Sequence, residues 1–474
     1  MTSTPALFRR NRRAYWVLAA ATQLWLACSG PNTGTDDVAP PIGSEAGRNS
    51  MGGHCDCDIG PGGTSPIGTA GDQDTTPSAG AAGTDEPLGT AGMAEAAGAA
   101  GTPPSSDGGA SGAMTADFVP APHAPFPLVT AHGGPVIEQI ELVPVYFGDD
   151  PLRVDLERFN TWIVTSDYWR NAGAEYGVHP GTRLPSVQFE SAPASISDAQ
   201  IASWIDAKVA DGSLPKPSTS TVFALFYQAG TTITTALGSS CISFAAIHGA
   251  ATLSNPVFTG SVPLAIIPRC SYSAGDELMI ATDVASHEYM ETATTPFPEA
   301  NPGWIMDNLS GPLEAWSMLS GPAVADLCLG QSYDTIDGFS VNDIWSNAAA
   351  QAGNNPCQPS DPKHPFFSVS ADATIYHAEP GTTLTVNARA WSNLPAPDWE
   401  IDINWGLVPG SDFDGHAVLS RKIVNNGDEL TATITIPASP PMVNGRSVYR
   451  FTIDSIDPIN PNFSHPWPLM IIVP

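Results

Sequence analysis

Positive charge is what this 474-residue chain has least of: 18 Lys and Arg stand against 48 Asp and Glu, a formal net charge of −30 at pH 7. So acidic a chain repels phosphate backbones and anionic headgroups. Nucleic acid and acidic membrane surfaces are thereby excluded, and cations or neutral polymers are left as partners. The scarcity becomes complete over residues 270–362, where thirteen acids occur without one Lys or Arg. Long apolar runs are missing as well. The run at residues 14–27 falls short of the roughly 20 residues that a helical bilayer span needs. The four cysteines of the patterned region, Cys241, Cys270, Cys328 and Cys357, contain no CxxC pair, which argues against a thiolate zinc site. No GxSxG turn surrounds a serine, and no glycine loop leads into a phosphate-binding lysine, so serine-hydrolase and P-loop chemistry have no foothold.

What is present begins with a processing signal. Arg9, Arg10, Arg12 and Arg13 precede the apolar run, the charge-then-apolar order of a signal peptide over residues 1–27. The run ends in Leu24-Trp25-Leu26-Ala27-Cys28-Ser29-Gly30, which resembles a bacterial lipoprotein cleavage site. That resemblance implies Cys28 as the lipidated residue and a tether on the outer membrane or cell surface; secretion after cleavage nearby is the alternative. Removing residues 1–27 takes away four arginines and no acid, moving the charge from −30 to −34. Residues 28–115 are mostly Gly, Ala, Pro, Thr, Ser and Asp, include Cys55 and Cys57, and bury too little to offset ordering entropy. They are expected to be a disordered tether with an r.m.s. span of about 50 Å. In an exported protein the four later cysteines are expected to pair. Of three connectivities, proximity favours Cys241–Cys270 with Cys328–Cys357, each worth roughly 3–4 kcal/mol by loop closure.

Patterned sequence follows in two styles. Residues 136–147 predict a strand, and residues 154–169 carry helical spacing through Leu156, Phe159, Ile163 and Tyr168. Residues 195–198 open a second expected helix with Ile201, Trp204 and Ile205 on one face, and residues 222–227 and 264–268 read as buried strands. Ser273 to Asp276 has the spacing of a capping box before a third helix, which Thr294-Thr295-Pro296 should stop. Mixed strands and helices predict an α/β domain over residues 116–360. After Pro359 the period drops to two, at 366–371, 383–389, 400–405, 417–423, 429–436, 447–453 and 469–473. Seven strands in about 110 residues predict an all-β sandwich of immunoglobulin or fibronectin type over residues 361–474.

The chemistry concentrates in His287-Glu288-Tyr289-Met290-Glu291. On a helix, His287 and Glu291 share a face one turn apart and converge on one ion, with Asp283 a turn earlier on the same stripe. Glu288 flanks that stripe, where a general base for water belongs. Clustered carboxylates repel one another and raise each other's pKa, and a divalent cation relieves both.

The segment from Ser286 to Pro296, with Gly303-Trp304, Ala325-Asp326-Leu327-Cys328, the Val341 to Asn347 segment and Cys357, resembles a group of secreted bacterial metallopeptidase-like proteins. Their pattern runs HExxEAxTDP, tryptophan, GDxC, WSN and a final cysteine; Thr292 and Thr295 stand where that pattern has alanine and aspartate. Cys241 to His248, residues 267–270 and residues 312–315 more faintly resemble the plant Exordium-like, phosphate-induced proteins. The bacterial resemblance implies a zincin-like fold over roughly residues 135–358 and Asp326 as third metal ligand beside His287 and Glu291. Glu314 is the alternative ligand; Asp307 and His248 stand further back, with His248 read as a structural histidine. One nitrogen and two carboxylates make a harder site than two histidines, so manganese or calcium compete with zinc. Such a ligand set also leaves water less acidic, which shifts hydrolysis to alkaline pH. The expected function is a surface-tethered, metal-dependent hydrolase of protein or peptide with Glu288 as base. The alternative is a non-enzymatic envelope or matrix protein with a structural metal and a polymer-binding sandwich.

Overall fold

The computed structural model describes residues 118–474 apart from 308–310, 318–320, 330–333, 406–414, 442–445 and 462; the expected signal peptide, Cys28, the tether, Cys55 and Cys57 lie outside the described residues. Three apolar runs build the middle of one sheet. Gln139–Phe147, Thr221–Phe226 and Thr259–Ile267 lie side by side in parallel. His179–Arg183 and Val187–Phe189 extend one flank, also in parallel. Ile247–Ser254 closes the opposite edge, antiparallel to Thr259–Ile267. Thr221–Phe226 is buried at every residue, as a strand covered on both faces must be.

Alternation then assigns side chains to two cores. Leu142, Tyr146, Ala224, Phe226, Ala265 and Ile267 enter one. Val143, Val145, Phe223, Leu225, Leu264 and Ile266 enter the other, which the helix Asp198–Ala210 covers with Ile201, Ile205 and Val209. The first face carries Arg153–Ile163 and the motif helix, Glu277–Thr294.

Local chemistry sets the ends, sometimes differently from expectation. The pattern at 154–169 becomes two helices, Arg153–Ile163 and Asp167–Gly173, because the Ser166 hydroxyl caps the second by accepting from Trp169 N–H at 3.1 Å. Ser195–Ser197 is a short strand, and the helix starts after it with a true capping box between Ser197 and Gln200. The box expected at Ser273 to Asp276 does not form. Asp276 is the N-cap residue without a capping bond, and its carboxylate accepts from Ser271, Tyr272 and Ser273 instead, closing the preceding loop. The stop at Thr295 is as expected: its N–H donates to Glu291 O at 2.7 Å.

Beyond Cys357 the chain forms two further sheets, one over the other. One orders Phe367–Ala371, Thr383–Ser392, Glu429–Thr435 and His416–Leu419; the second orders Ile375–His377, Ser464–Val473, Ser447–Ile456, Trp399–Trp405 and Ile423–Val424. Ile375–His377 runs parallel to Ser464–Val473, and the other pairings are antiparallel. Its three residues are too few to show a period, and the stretch expected at 417–423 divides into two short strands. Residues 118–131 join this sandwich to the first layer. The Phe126 ring meets Trp316, Trp345, Phe366, Trp391 and Trp467, with centroids 5.8–6.2 Å away. Cys241–Cys270 and Cys328–Cys357 are disulfides, the pairing that proximity favoured, and they point to an oxidising compartment. No helix among the described residues is long and apolar enough to cross a membrane.

Candidate metal centre

The motif helix is buried all round from Ile280 to Thr294, so every polar group on it needs a partner. Several find one locally. Thr292 and Thr294 hydroxyls donate to Glu288 O and Met290 O, and Tyr289 Oη donates to Asn160 Oδ1 at 2.7 Å. Ser286 Oγ donates to Asp283 O and accepts from Asn342 N–H at 2.8 Å. Asn342 in turn donates through Nδ2 to Ala325 O at 3.1 Å. A chain of bonds thus ties the motif helix to the loop that carries Asp326, and the Cys328–Cys357 bond holds that loop from behind.

Three carboxylates and two imidazoles meet there. Glu291 Oε1 accepts from the backbone N–H of Ala325 at 3.2 Å and of Asp326 at 3.0 Å. Its Oε2 faces His287 Nε2 at 3.4 Å and His248 Nδ1 at 3.3 Å. His287 Nε2 lies 3.5 Å from Asp326 Oδ1, and His248 Nδ1 lies 3.1 Å from Glu288 Oε2. Charge-assisted N–H···O bonds close to about 2.7–2.9 Å, shorter than any of these. A tetrahedral ion with ligands at about 2.0–2.1 Å instead spaces them about 3.3–3.4 Å apart. Two sets of ligand atoms gather near that spacing, His287–Glu291–Asp326 with contacts of 3.4 and 3.5 Å and His248–Glu288–Glu291 with contacts of 3.1 and 3.3 Å, all atoms of a set lying within 4.8 Å of one another. The donors fit a divalent cation.

The electrostatics carry the same message. Burial on its own lowers a histidine, yet His248 rises to about 10 because Glu288 and Glu291 surround it, and Glu291, Asp326 and Glu288 likewise raise His287 far above normal. Asp326 is pushed up to about 7 by burial and by the Glu291 charge, offset in part by His287. Burial also raises Glu291, but the two imidazoles outweigh it and hold that carboxyl well below the usual range. The anions of the cluster favour the protonated form of both imidazoles, and a bound cation would supply the same compensation.

No family model and no curated protein sequence matches this chain. Solved structures give only faint likenesses. The periplasmic chaperone SfaE is 13% identical over 22% of this chain and 57% of its own, at a TM-score of 0.18. The E. coli chaperone DraB is 13% identical over 23% and 54%, at 0.19. A β-glucosidase from Listeria innocua is 10% identical over 73% and 48%, at 0.15. Each alignment thus spans about half of the matched protein's length, and scores this low do not establish a common fold.

The structure therefore brings His287, Glu291 and Asp326 together, with Glu288 beside them. Glu314 is elsewhere: it opens the short helix Glu314–Ser317, and its charge acts on Arg450 of the sandwich. Asp307 pairs with His132 at 3.1 Å. Asp283 is buried behind His287, outside both ligand sets, and burial lifts it to about 7 against the pull of His287. His248 is the residue that sequence reasoning undervalued. Ala251 and Leu253 on its strand enter the core under Asp198–Ala210, so alternation turns His248 to the opposite face. There it pairs in register with Ala265, whose side chain shares the core of the motif helix.

Proposed function

We propose that this chain is an exported, metal-dependent hydrolase of protein or peptide bonds, with a zincin-like α/β domain and an immunoglobulin- or fibronectin-type sandwich. One observation carries this reading: His287, Glu291 and Asp326 present ligand atoms at tetrahedral-edge spacing, with a further carboxylate, Glu288, on the same helix. His287 Nε2, Glu291 Oε2 and Asp326 Oδ1 hold a divalent cation, zinc first, with manganese or calcium as competitors for so oxygen-rich a set. When bound, such an ion supplies Lewis-acid polarisation of an acyl oxygen and acidifies water. Glu288 takes the proton of the attacking water and returns it to the leaving amine. Glu291 is kept in place by the Ala325 and Asp326 N–H groups, so its second oxygen faces His287 Nε2 and would be ready to hold a cation without rotating. Cys28 supplies a lipid anchor, and the sandwich spaces the catalytic layer or grips an envelope polymer.

A structural metal site in a non-enzymatic envelope protein is the second reading, favoured by the near-complete burial of all five side chains. Purified full-length protein separates the two. The hydrolase reading expects about one tightly held divalent ion per chain. It also expects casein or peptide-library cleavage that chelator abolishes and that Glu288→Gln lowers by about 10²–10⁴-fold. Full activity in Glu288→Gln removes the base from the mechanism; a filled site without any cleavage establishes the structural reading.

A further inference from the structure

His248 has no work to do in a centre made of His287, Glu291 and Asp326 alone. Its side chain is nevertheless only 9% exposed, its Nε2 has no hydrogen-bond partner, and both of its polar contacts run through Nδ1 to Glu288 and Glu291. Those contacts, 3.1 and 3.3 Å, bring three ligand atoms as close together as the 3.4 and 3.5 Å contacts of the first set, near the edge of a coordination tetrahedron. The two sets share a single residue, Glu291, and a single atom of it, Oε2. Glu291 Oε1 is already taken by two backbone N–H groups, so the shared oxygen cannot be relieved by rotating the carboxylate.

We infer that His248, Glu288 and Glu291 form a second divalent-cation site, bridged to the first through Glu291 Oε2, and that filling it switches the first site off. The inference rests on the hydrolase reading and adds its regulation. A cation at the second site takes His248 Nδ1 and the Glu288 carboxylate as ligands. A carboxylate that gives a lone pair to a cation is a far weaker base toward water, so the base is withdrawn. Because Glu291 oxygen is shared and two cations lie close together, the second equivalent binds more weakly than the first, and one metal concentration range is active while a higher one is not. The competing explanation makes His248 only a hydrogen-bond partner that holds Glu288 and Glu291 in place.

The test is equilibrium dialysis of the full-length, metal-stripped protein against rising zinc chloride, with bound metal counted, beside the same series for His248→Gln and His248→Ala. Gln keeps the size and one hydrogen bond at a buried position, which guards against loss of folding in the Ala variant. Two equivalents are expected in the wild type, the second at least about tenfold weaker, and one in either variant with its affinity within about tenfold of the first site. With manganese in place of zinc, two bridged ions should give an exchange-coupled electron paramagnetic resonance spectrum at two equivalents, absent from the variants. Cleavage should rise to one equivalent of zinc and then fall in the wild type, and should not fall in His248→Gln. One equivalent in the wild type, or a second equivalent that survives His248→Gln unchanged, overturns the second site and leaves the hydrolase reading standing. No bound metal at all overturns both.

Discussion

At the scale of single residues, the centre depends on positions that never touch an ion. Gly321 has φ +148°, a conformation closed to side chains, and a Cβ added there would lie 1.8 Å from Asp326 Oδ2. Asp326 Oδ2 is held from its other side by Ala323 N–H at 3.3 Å. Together these contacts decide which way the carboxylate points, and hence whether Oδ1 reaches His287. Gly321→Ala is therefore expected to weaken metal binding by about 10–100-fold, the usual effect of losing a supporting contact, and to lower stability by roughly 1–3 kcal/mol through backbone strain. Dialysis of the variant measures the first, chemical denaturation of the metal-free protein the second. An unchanged metal affinity would show that Asp326 is not a ligand.

Elements show why part of the site was legible beforehand and part was not. The His287 to Glu291 spacing is legible because four residues make one helical turn, whatever surrounds the helix. Asp326 lies 35 residues from Glu291 along the chain, and no period links them; only the resemblance of the Asp326-Leu327-Cys328 step pointed to it. His248 was undervalued because the first half of its strand, Ile247-His248-Gly249-Ala250, lacks the alternating bulk that marks a strand, and Gly249 and Ala250 fill little of either face. Ser273 to Asp276 went the other way: serine and aspartate three apart suit both a helix cap and a side-chain-closed loop, and here the loop wins. The sandwich was clearer because strands such as Trp399–Trp405 and Glu429–Thr435 alternate buried and less buried residues along their length.

One of those strands also yields a pH prediction. His465, on Ser464–Val473, donates Nδ1–H to Phe367 O at 2.8 Å and lies against the Phe366 and Phe367 rings, linking the two sandwich sheets. Burial drives it down to about 4, only partly offset by the Phe367 bond. A depressed histidine is neutral in the folded chain while the unfolded chain takes a proton below about 6.5. Its contribution is whole above that value and is lost as pH falls to about 4, up to about 3 kcal/mol in all. Denaturant midpoints at pH 7 and 4.5 should thus lie closer together for His465→Gln than for the wild type. Equal acid sensitivity in both would assign the loss to other groups.

Over the whole molecule, the sandwich shares one of the two cores of the α/β layer. One cluster of buried described residues runs from Ala121 to Val473 and includes both apolar residues of the motif helix and the sandwich tryptophans, while the core under Asp198–Ala210 stays within the α/β layer. The strap before the first layer stitches them: His123 stacks on Trp391 at 3.6 Å, Asn426 accepts from Ala121 N–H at 2.8 Å, and Phe126 sits among four tryptophans and Phe366. Sequence reading suggested two units split near residue 360, since the change from mixed to purely alternating pattern falls there. A shared core makes a different thermodynamic statement, because the sandwich and the motif-helix side of the α/β layer bury apolar surface against each other. Phe126→Ala removes a nearly enclosed ring at the seam and is expected to cost about 3–5 kcal/mol. The form of that loss is the sharper test. If the halves unfold together, calorimetry of the wild type gives one transition, and Phe126→Ala moves it down as a whole. If each half is stable by itself, the variant should split the transition in two, with the motif helix and the sandwich melting apart, and the seam would then be a contact between finished domains instead of part of their common core.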